Sequence, residues 1–233
     1  MLEKILYYER DLFFLLNGSD CVALDRVIWL CTGKAVWLPL AAVILGVLIY
    51  KRNLREWLPA LTAAVLTVAV CDQFSSSLIK PAFERLRPTY HPDFMESVKT
   101  VYGYRGGHFG FISSHAANTF GFAMFMSLFF RNTLFSWTIF LWAAFTAYTR
   151  VYLGVHFISD IIAGALAGAF FGAFIYVVYS YFNGRRICRS NAAAGNFACA
   201  PYSDKRMRLI AAVIIITLVC VFVFNAPLAA FLR

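Results

Sequence analysis

Three cationic side chains stand in or beside long apolar runs of this chain. Lys80 and Arg87 are seven residues apart, which places both on one face if the segment is helical. Arg150 follows another apolar run. A lone arginine near the end of an apolar helix usually extends to the membrane interface, whereas three cations that converge can bind phosphate oxygens.

A pair of hydroxyl residues precedes a further apolar run. In the segment Ile-Ser-Ser-His at 112–115, Ser113 or Ser114 is suited to cap a helix that begins here. The backbone N–H groups in the first turn of such a helix favour an anion. His115 would lie in that turn, where an imidazole can move a proton to or from a bound group.

A second histidine has a carboxylate four residues later. On a helix, Asp160 can accept a hydrogen bond from the ring of His156 and fix its tautomer, which leaves the other ring nitrogen free as a nucleophile. A lone helical histidine is more often a packed core residue than a catalyst. Two histidines, a carboxylate and three cations together indicate a nucleophile and a proton donor acting on a phosphate.

A metal site is the main chemical alternative for these residues. His115, His156, Asp160 and Asp72 could be ligands, but three cations around the same cavity would repel a divalent ion. We therefore predict neither a metal nor a cofactor. Asp72 is interpreted either as a partner of the cations, behind the groups that bind phosphate, or as a buried polar contact.

The three segments resemble the signature of the type 2 phosphatidic acid phosphatase family in order and internal spacing. The family pattern is K-x6-R-P, then P-S-G-H, then S-R-x5-H-x3-D, and the corresponding segments here are 80–88, 112–115 and 149–160. The resemblance implies a six-helix membrane phosphatase. Three replacements depart from the pattern: Ile112 for Pro, Ser114 for Gly and Thr149 for Ser.

The resemblance also implies a role for each matching residue. His156 would be the nucleophile that forms a phosphohistidine, Asp160 would orient it, and His115 would protonate the departing lipid oxygen and then activate water. Ser114 would be an additional donor. The residues implied to bind the phosphate are Lys80, Arg87, Ser113, Ser114 and Arg150.

The composition indicates a membrane protein. Of the 233 residues, 61% are hydrophobic and 14% are charged, against roughly 25% charged in a soluble domain. A helical crossing needs about 20 mostly apolar residues. We therefore predict an all-α, polytopic integral membrane protein with six transmembrane helices. The apolar runs are 27–50, 57–79, 109–130, 134–148 (to 155 if Arg150 is allowed), 157–182 and 209–224 (or 231).

One domain, 1–233, is predicted, with the motifs in its core at 57–182. The first sixteen residues are too short and too charged to span, and they are predicted to form an interfacial amphipathic helix. Asn183 to Arg208 is predicted to be a flexible basic loop, followed by the last transmembrane helix at 209–231. Gly164, Gly168 and Gly172 form G-x-x-x-G repeats, which favour close helix packing within one chain.

The basic residues orient the chain. The net charge is +9, and residues 51–56 and 183–208 supply most of it, with three bases against one acid and six bases against one acid. Because basic loops favour the cytoplasm, the motif-bearing ends and both termini are predicted to face outside. The charge is therefore an orientation signal and does not indicate nucleic acid. The segment 90–108 resembles a loop over the site.

The resemblance, together with the distribution of basic residues, implies lipid phosphate hydrolysis at the periplasmic face of a bacterial inner membrane. Undecaprenyl diphosphate is our first choice of substrate, and a lipid A phosphate or phosphatidylglycerophosphate is the alternative. Hypotheses of another class are a transporter and a non-catalytic lipid-binding protein. The expected partners are the lipid and the bilayer, and a monomer is favoured.

Overall fold

A computed structural model describes residues 2–193 and 202–231. The regular elements in these ranges are helices, as the sequence predicts. Short 3-10 helices occur at Ala35–Trp37 and Pro88–Tyr90, and a π-helical turn occurs at Phe74–Ile79. The α-helices are α1 (Leu2–Leu16), α2 (Val22–Thr32), α3 (Leu38–Ile49), α4 (Leu54–Gln73), α5 (Lys80–Phe83), α6 (Ser114–Phe130), α7 (Thr133–Tyr152), α8 (Ile158–Ala193), α9 (Asp204–Val223) and α10 (Asn225–Phe231).

Several of these helices are long and apolar enough to cross a membrane. Three qualify by length and composition among the described residues, namely Leu54–Phe83, Ile158–Asn183 and Asp204–Val223. A fourth is formed by Val22–Thr32 with Ala35–Ile49, if this pair, bent by 67°, is one broken span. The chain is therefore a helical membrane protein.

The prediction of one continuous helix over 27–50 is wrong, because the helix breaks after Thr32. Gly33 has an extended backbone, and Pro39 lies in the first turn of α3, where its missing N–H is not needed. The indole N–H of Trp37 donates to the carbonyl oxygen of Cys31 at 2.8 Å. This bond satisfies a backbone oxygen that the end of α2 leaves without a helical partner.

The packing of α6 against α8 forms the centre of the fold. Gly164 of α8 lies so close to α6 that a Cβ there would come within 2.6 Å of the Ser113 carbonyl oxygen. One turn later, a Cβ on Gly168 would overlap the backbone of Ala117. The prediction that the G-x-x-x-G repeats pack helices within one chain is confirmed. Because α6 begins at the hydroxyl segment and α8 begins two residues after the second histidine, this contact sets the distance between the two motifs.

The N-terminal helix α1 packs on the protein with one face. Leu6 and Phe13 are buried, and the Phe13 ring lies 5.4 Å from that of Phe157, just before α8. The opposite face is exposed, with Tyr8 and Leu15 both about four-fifths accessible. The helix thus buries one face against α8 and its neighbours, and its location at a membrane interface stays a prediction.

The predicted loop 183–208 is shorter than the sequence suggested. Helix α8 continues to Ala193 and α9 begins at Asp204, so the described residues of that segment are mostly helical. Its residues 194–201 lie outside the described residues. The arginines at 185, 186 and 189 interrupt the apolar run but do not lower helix propensity, so charge alone marked the wrong boundary.

Candidate active site

The second histidine lies at the start of α8. His156 is in the turn before the helix, and Asp160 is in its first turn, both almost completely buried. The distance from Nδ1 of His156 to Oδ2 of Asp160 is 3.5 Å, and Nδ1 has no hydrogen-bond partner among the described residues. The same carboxylate oxygen accepts the backbone N–H of Phe157 at 3.0 Å. The pair therefore meets across the N-terminal turn, although His156 itself is not helical.

Lys80 and Arg87 do not share a helix face, which corrects the prediction from their spacing. Helix α5 ends at Phe83, Glu84 has a left-handed backbone with φ of 45°, and Arg87 is extended. Pro88 accounts for the extended backbone of Arg87, since the residue before a proline is driven away from the helical region, whereas the helix has already ended at the left-handed Glu84. A turn then carries Arg87 back towards the site.

Arg87 and Arg150 are held by neutral groups. Nε of Arg87 donates to the carbonyl oxygen of Phe109 at 3.1 Å. Arg150 donates to the hydroxyl of Thr32 at 2.8 Å and to the hydroxyl of Tyr104 at 3.1 Å. Within the described chain, neither arginine forms an ion pair, so their positive charge is available to an anion.

The hydroxyl segment forms the first turn of α6. Ser113 is the N-cap, is fully buried, and accepts the backbone N–H of Ala116 at 3.5 Å. Its own N–H donates to the carbonyl oxygen of Asp160 at 3.0 Å. Ser114 hydrogen-bonds to Nζ of Lys80 through its hydroxyl. The structure thus brings Lys80, the start of α6 and the start of α8 together.

The three cations act on the second histidine electrostatically. Burial is the largest cause that lowers the pKa of His156 well below its usual value, followed by the charges of Arg87, Arg150 and Lys80. Burial also lowers the pKa of Arg87, with Arg150 as the next cause. His156 is therefore neutral at pH 7, and a neutral imidazole has a lone pair with which to attack.

A cavity of about 470 Å³ opens beside His115. Asp72 lines it and accepts a hydrogen bond from the amide of Asn118 at 3.0 Å, so Asp72 contacts a polar side chain of α6 here. Lys34, in the break between α2 and α3, also lines the cavity. Most of the exposed lining is apolar, and its apolar residues include Trp37, Leu38, Val68 and Trp142.

Several residues around the site could not be assigned a role from the sequence. Thr32 and Tyr104 hold Arg150, and Gly106 lies so close to the Arg87 guanidinium that a Cβ there would come within 2.6 Å of it. The loop at 90–108 therefore lies against the cations.

Arg85 forms buried ion pairs with Asp160 at 2.6 Å and with Glu9 of α1 at 2.7 Å. No cluster of three or more potential metal ligands occurs among the described residues.

Comparison with known proteins decides the family. The family model described as "PAP2 superfamily" matches residues 56–184, more than half of the chain and all three motifs. The chain belongs to the PAP2 superfamily. The resemblance of the motifs to the type 2 phosphatidic acid phosphatases is thereby confirmed.

Curated PAP2 relatives are similar over most of the chain. The lipid A 4'-phosphatase of Porphyromonas gingivalis is 43% identical over 208 residues, which cover 89% of this chain and 87% of that protein. The enzyme of the same name from Bacteroides thetaiotaomicron is 38% identical and covers 76% and 80%. An undecaprenyl-diphosphatase from Sulfolobus acidocaldarius is 25% identical and covers 70% and 74%.

A solved PAP2 structure has the same fold. The crystal structure of LpxE from Aquifex aeolicus superposes with a TM-score of 0.52 at 25% identity, covering 72% of this chain and 94% of that one. Family membership and these relatives make the protein a lipid phosphate hydrolase. The prediction of a membrane lipid phosphatase is confirmed at this level.

Proposed function

We propose that this protein removes the 4'-phosphate of lipid A. The observation that carries the proposal is the high identity to two lipid A 4'-phosphatases over most of both chains. Our first choice from the sequence, undecaprenyl diphosphate, is supported by a weaker relative and is unconfirmed. The alternative that the sequence left open, a lipid A phosphate, fits the relatives better.

In the proposed mechanism, His156 attacks the phosphorus with the ring nitrogen that faces away from Asp160. A P–N bond forms as the P–O bond to the lipid breaks, and His115 donates a proton to the departing oxygen. Water then attacks the phosphohistidine, with His115 as the base, and inorganic phosphate leaves as the P–N bond breaks. The 3.5 Å separation of His156 from Asp160 supports an orienting role for the carboxylate.

Lys80, Arg87 and Arg150 are proposed to bind the phosphate oxygens. Their availability distinguishes them from Arg85, which two carboxylates already neutralise. The N–H groups in the first turn of α6 would add to this cradle. Fixed donors directed at the transferring group stabilise the charge that builds up in the transition state.

The cavity beside His115 is proposed to receive the lipid part of the substrate. His115 protonates the departing lipid oxygen in this mechanism, so the lipid must lie on its side of the phosphate. The largely apolar lining at Trp37, Val68 and Trp142 suits hydrocarbon.

We propose six membrane crossings: the bent pair, the helix Leu54–Phe83, and helices α6 to α9. In this arrangement neighbouring spans run in opposite directions. The motif residues lie at the C-terminal ends of the second and fourth spans and at the N-terminal ends of the third and fifth, so all of them lie at the same membrane face. The basic residues at 51–56 and the Arg131 turn lie at the opposite face, which supports a periplasmic site in a bacterial inner membrane. Helix α1 would rest at the interface with its exposed face in lipid.

Phosphate release from a panel of lipids tests this substrate. We expect the purified protein in detergent to release phosphate from lipid A and to leave a product that mass spectrometry shows to lack the 4'-phosphate. Undecaprenyl diphosphate and phosphatidylglycerophosphate should react at least about tenfold more slowly, which corresponds to about 1.4 kcal/mol. Fast release from undecaprenyl diphosphate alone would restore our first choice. Release from none of them would favour lipid binding or transport.

Ser114→Ala is expected to raise KM roughly three- to tenfold and to change kcat less. The Ser114 hydroxyl bonds to Lys80 and to Ser75, the latter at 2.9 Å, and so holds the lysine in place before substrate binds. Steady-state kinetics on the preferred lipid measures the effect. Ser77→Ala is the matched control, because the Ser77 hydroxyl is exposed and bonds to Gln73 at 2.9 Å. An unchanged KM in Ser114→Ala would show that the hydroxyl does not preorganise Lys80.

A further inference from the structure

Glu9 is a buried carboxylate on the N-terminal helix, far in sequence from every motif. It is 8% exposed, and each of its oxygens has a partner on another element. Oε1 accepts from Nη2 of Arg85 at 2.7 Å and from the hydroxyl of Ser159 at 2.9 Å, and Oε2 accepts the backbone N–H of Ser159 at 2.8 Å. Glu9 therefore connects α1 to the start of α8.

Arg85 continues this connection to the catalytic carboxylate. Its Nη1 donates to Oδ1 of Asp160 at 2.6 Å and to the hydroxyl of Ser159 at 2.7 Å. The guanidinium carbon lies 4.7 Å from the centre of the Phe157 ring. With Oδ1 held by Arg85, the other oxygen of Asp160 is directed at the Phe157 N–H and at His156.

One buried arginine pairs with two buried carboxylates in this connection. Removing one member of a buried ion pair strongly destabilises a protein, because the remaining charge has no solvent to stabilise it. Glu9, Arg85 and Asp160 together carry one net negative charge in the protein interior. That charge lies beside His156, which becomes positive when its ring nitrogen bonds to phosphorus.

We propose that Glu9 is a positioning residue of the active site: it holds Arg85 and Ser159, and Arg85 in turn fixes the Asp160 carboxylate that orients His156. Helix α1 is then part of the catalytic apparatus. This inference rests on the roles of His156 and Asp160 under the proposed function. Because Glu9 acts through Arg85, replacing Glu9 should affect the chemical step more than it affects the binding of substrate by Lys80, Arg87 and Arg150.

Glu9→Ala tests the proposal in the full-length protein in detergent. We expect kcat to fall about ten- to a hundredfold, by analogy with residues that orient metal ligands, while KM stays within about threefold. Glu9→Gln should lie in between, because its amide oxygen can still accept from Arg85 but its NH₂ group cannot accept from Ser159. Asp11→Asn is the control, since Asp11 lies on the same helix but is exposed.

A double-variant cycle separates positioning from mere packing. If Glu9 acts through Arg85, adding Glu9→Ala to Arg85→Lys should lower kcat by less than about threefold more. A purely structural loss would lower the yield of folded protein in both backgrounds equally. Equal, multiplicative losses of kcat in the two backgrounds would overturn the proposal.

The remaining outcomes are also decisive. A kcat of Glu9→Gln and Glu9→Ala within twofold of the wild type, or a rise in KM alone, would overturn the positioning role. Should Glu9→Ala fail to fold, the isosteric Glu9→Gln and the cycle built on it decide the question. A wild type that hydrolyses no lipid phosphate would instead refute the proposed function. An active wild type with unaffected Glu9 variants refutes only this inference.

Discussion

His156→Ala is expected to lower phosphate release by more than about a thousandfold, as loss of a nucleophile does in other enzymes that form covalent intermediates. The reason is that His156 supplies the attacking nitrogen in the proposed mechanism. Burial and three cations keep the pKa of His156 well below its usual value, so its lone pair is available at pH 7. Steady-state phosphate release from the preferred lipid measures the loss.

A trapping experiment gives the same prediction a second readout. Rapid quenching of the wild type with radiolabelled substrate should yield an alkali-stable, acid-labile phosphoprotein, and His156→Ala should yield none. His108→Ala is the control, because its exposed ring lies against Tyr90 with ring centres 4.5 Å apart, and the substitution keeps the backbone carbonyl oxygen that accepts the Arg87 N–H at 3.0 Å. Wild-type rates in His156→Ala would refute the nucleophilic mechanism.

The sequence was most informative where chemistry depends on short spacing. The motif residues are few, polar and costly in an apolar chain, so they could be identified as a candidate site without coordinates. Ser113 as an N-cap is a local property of this kind, and the structure has it in that position. The pairing of His156 with Asp160 was inferred from a helical spacing. The structure brings the two residues together at the N-terminus of α8, with His156 before the helix and Asp160 in its first turn.

Two incorrect predictions of continuous helices are also explained by residues close in sequence. Pro88 argues against a helix that runs from Lys80 to Arg87, because the backbone conformation of the residue before a proline is restricted. The break after Thr32 has a similar signal in Gly33 and Pro39. In both cases the residues that interrupt a helix outweigh the apolar or helical spacing.

The contacts that secure the site could not be inferred in the same way. Arg85 and Glu9 are 76 positions apart, and Arg150 and Thr32 are 118 apart. Such pairs exist only after the helices have packed. One signal was present, however: Glu9 falls on the stripe of Leu6 and Phe13, at helical spacing, so the helix pattern itself placed a carboxylate on the buried face.

Gly168→Ala is expected to destabilise the protein and to lower kcat about a hundredfold. A Cβ at this position would overlap the Ala117 carbonyl group and approach the Gly121 nitrogen to 2.9 Å. Both are backbone atoms, so α6 and α8 must move apart. His115 belongs to α6 and His156 immediately precedes α8, and a displacement of about 1 Å between reacting groups can cost roughly a hundredfold in rate. Thermal unfolding in detergent and steady-state kinetics measure the two effects.

Gly46→Ala distinguishes this packing effect from the difference in intrinsic helix propensity between glycine and alanine. Alanine is favoured over glycine within a helix by about 1 kcal/mol, so a substitution without steric consequence should stabilise the protein slightly. A Cβ on Gly46, in α3, would meet no atom within 4 Å, and Gly46→Ala should therefore keep full activity with an equal or higher unfolding temperature. Opposite signs for the same chemical change would locate the constraint in the α6–α8 contact. A stabilised, fully active Gly168→Ala would mean that the site tolerates helix movement and that the two motifs are aligned by the ion pairs at the start of α8 instead.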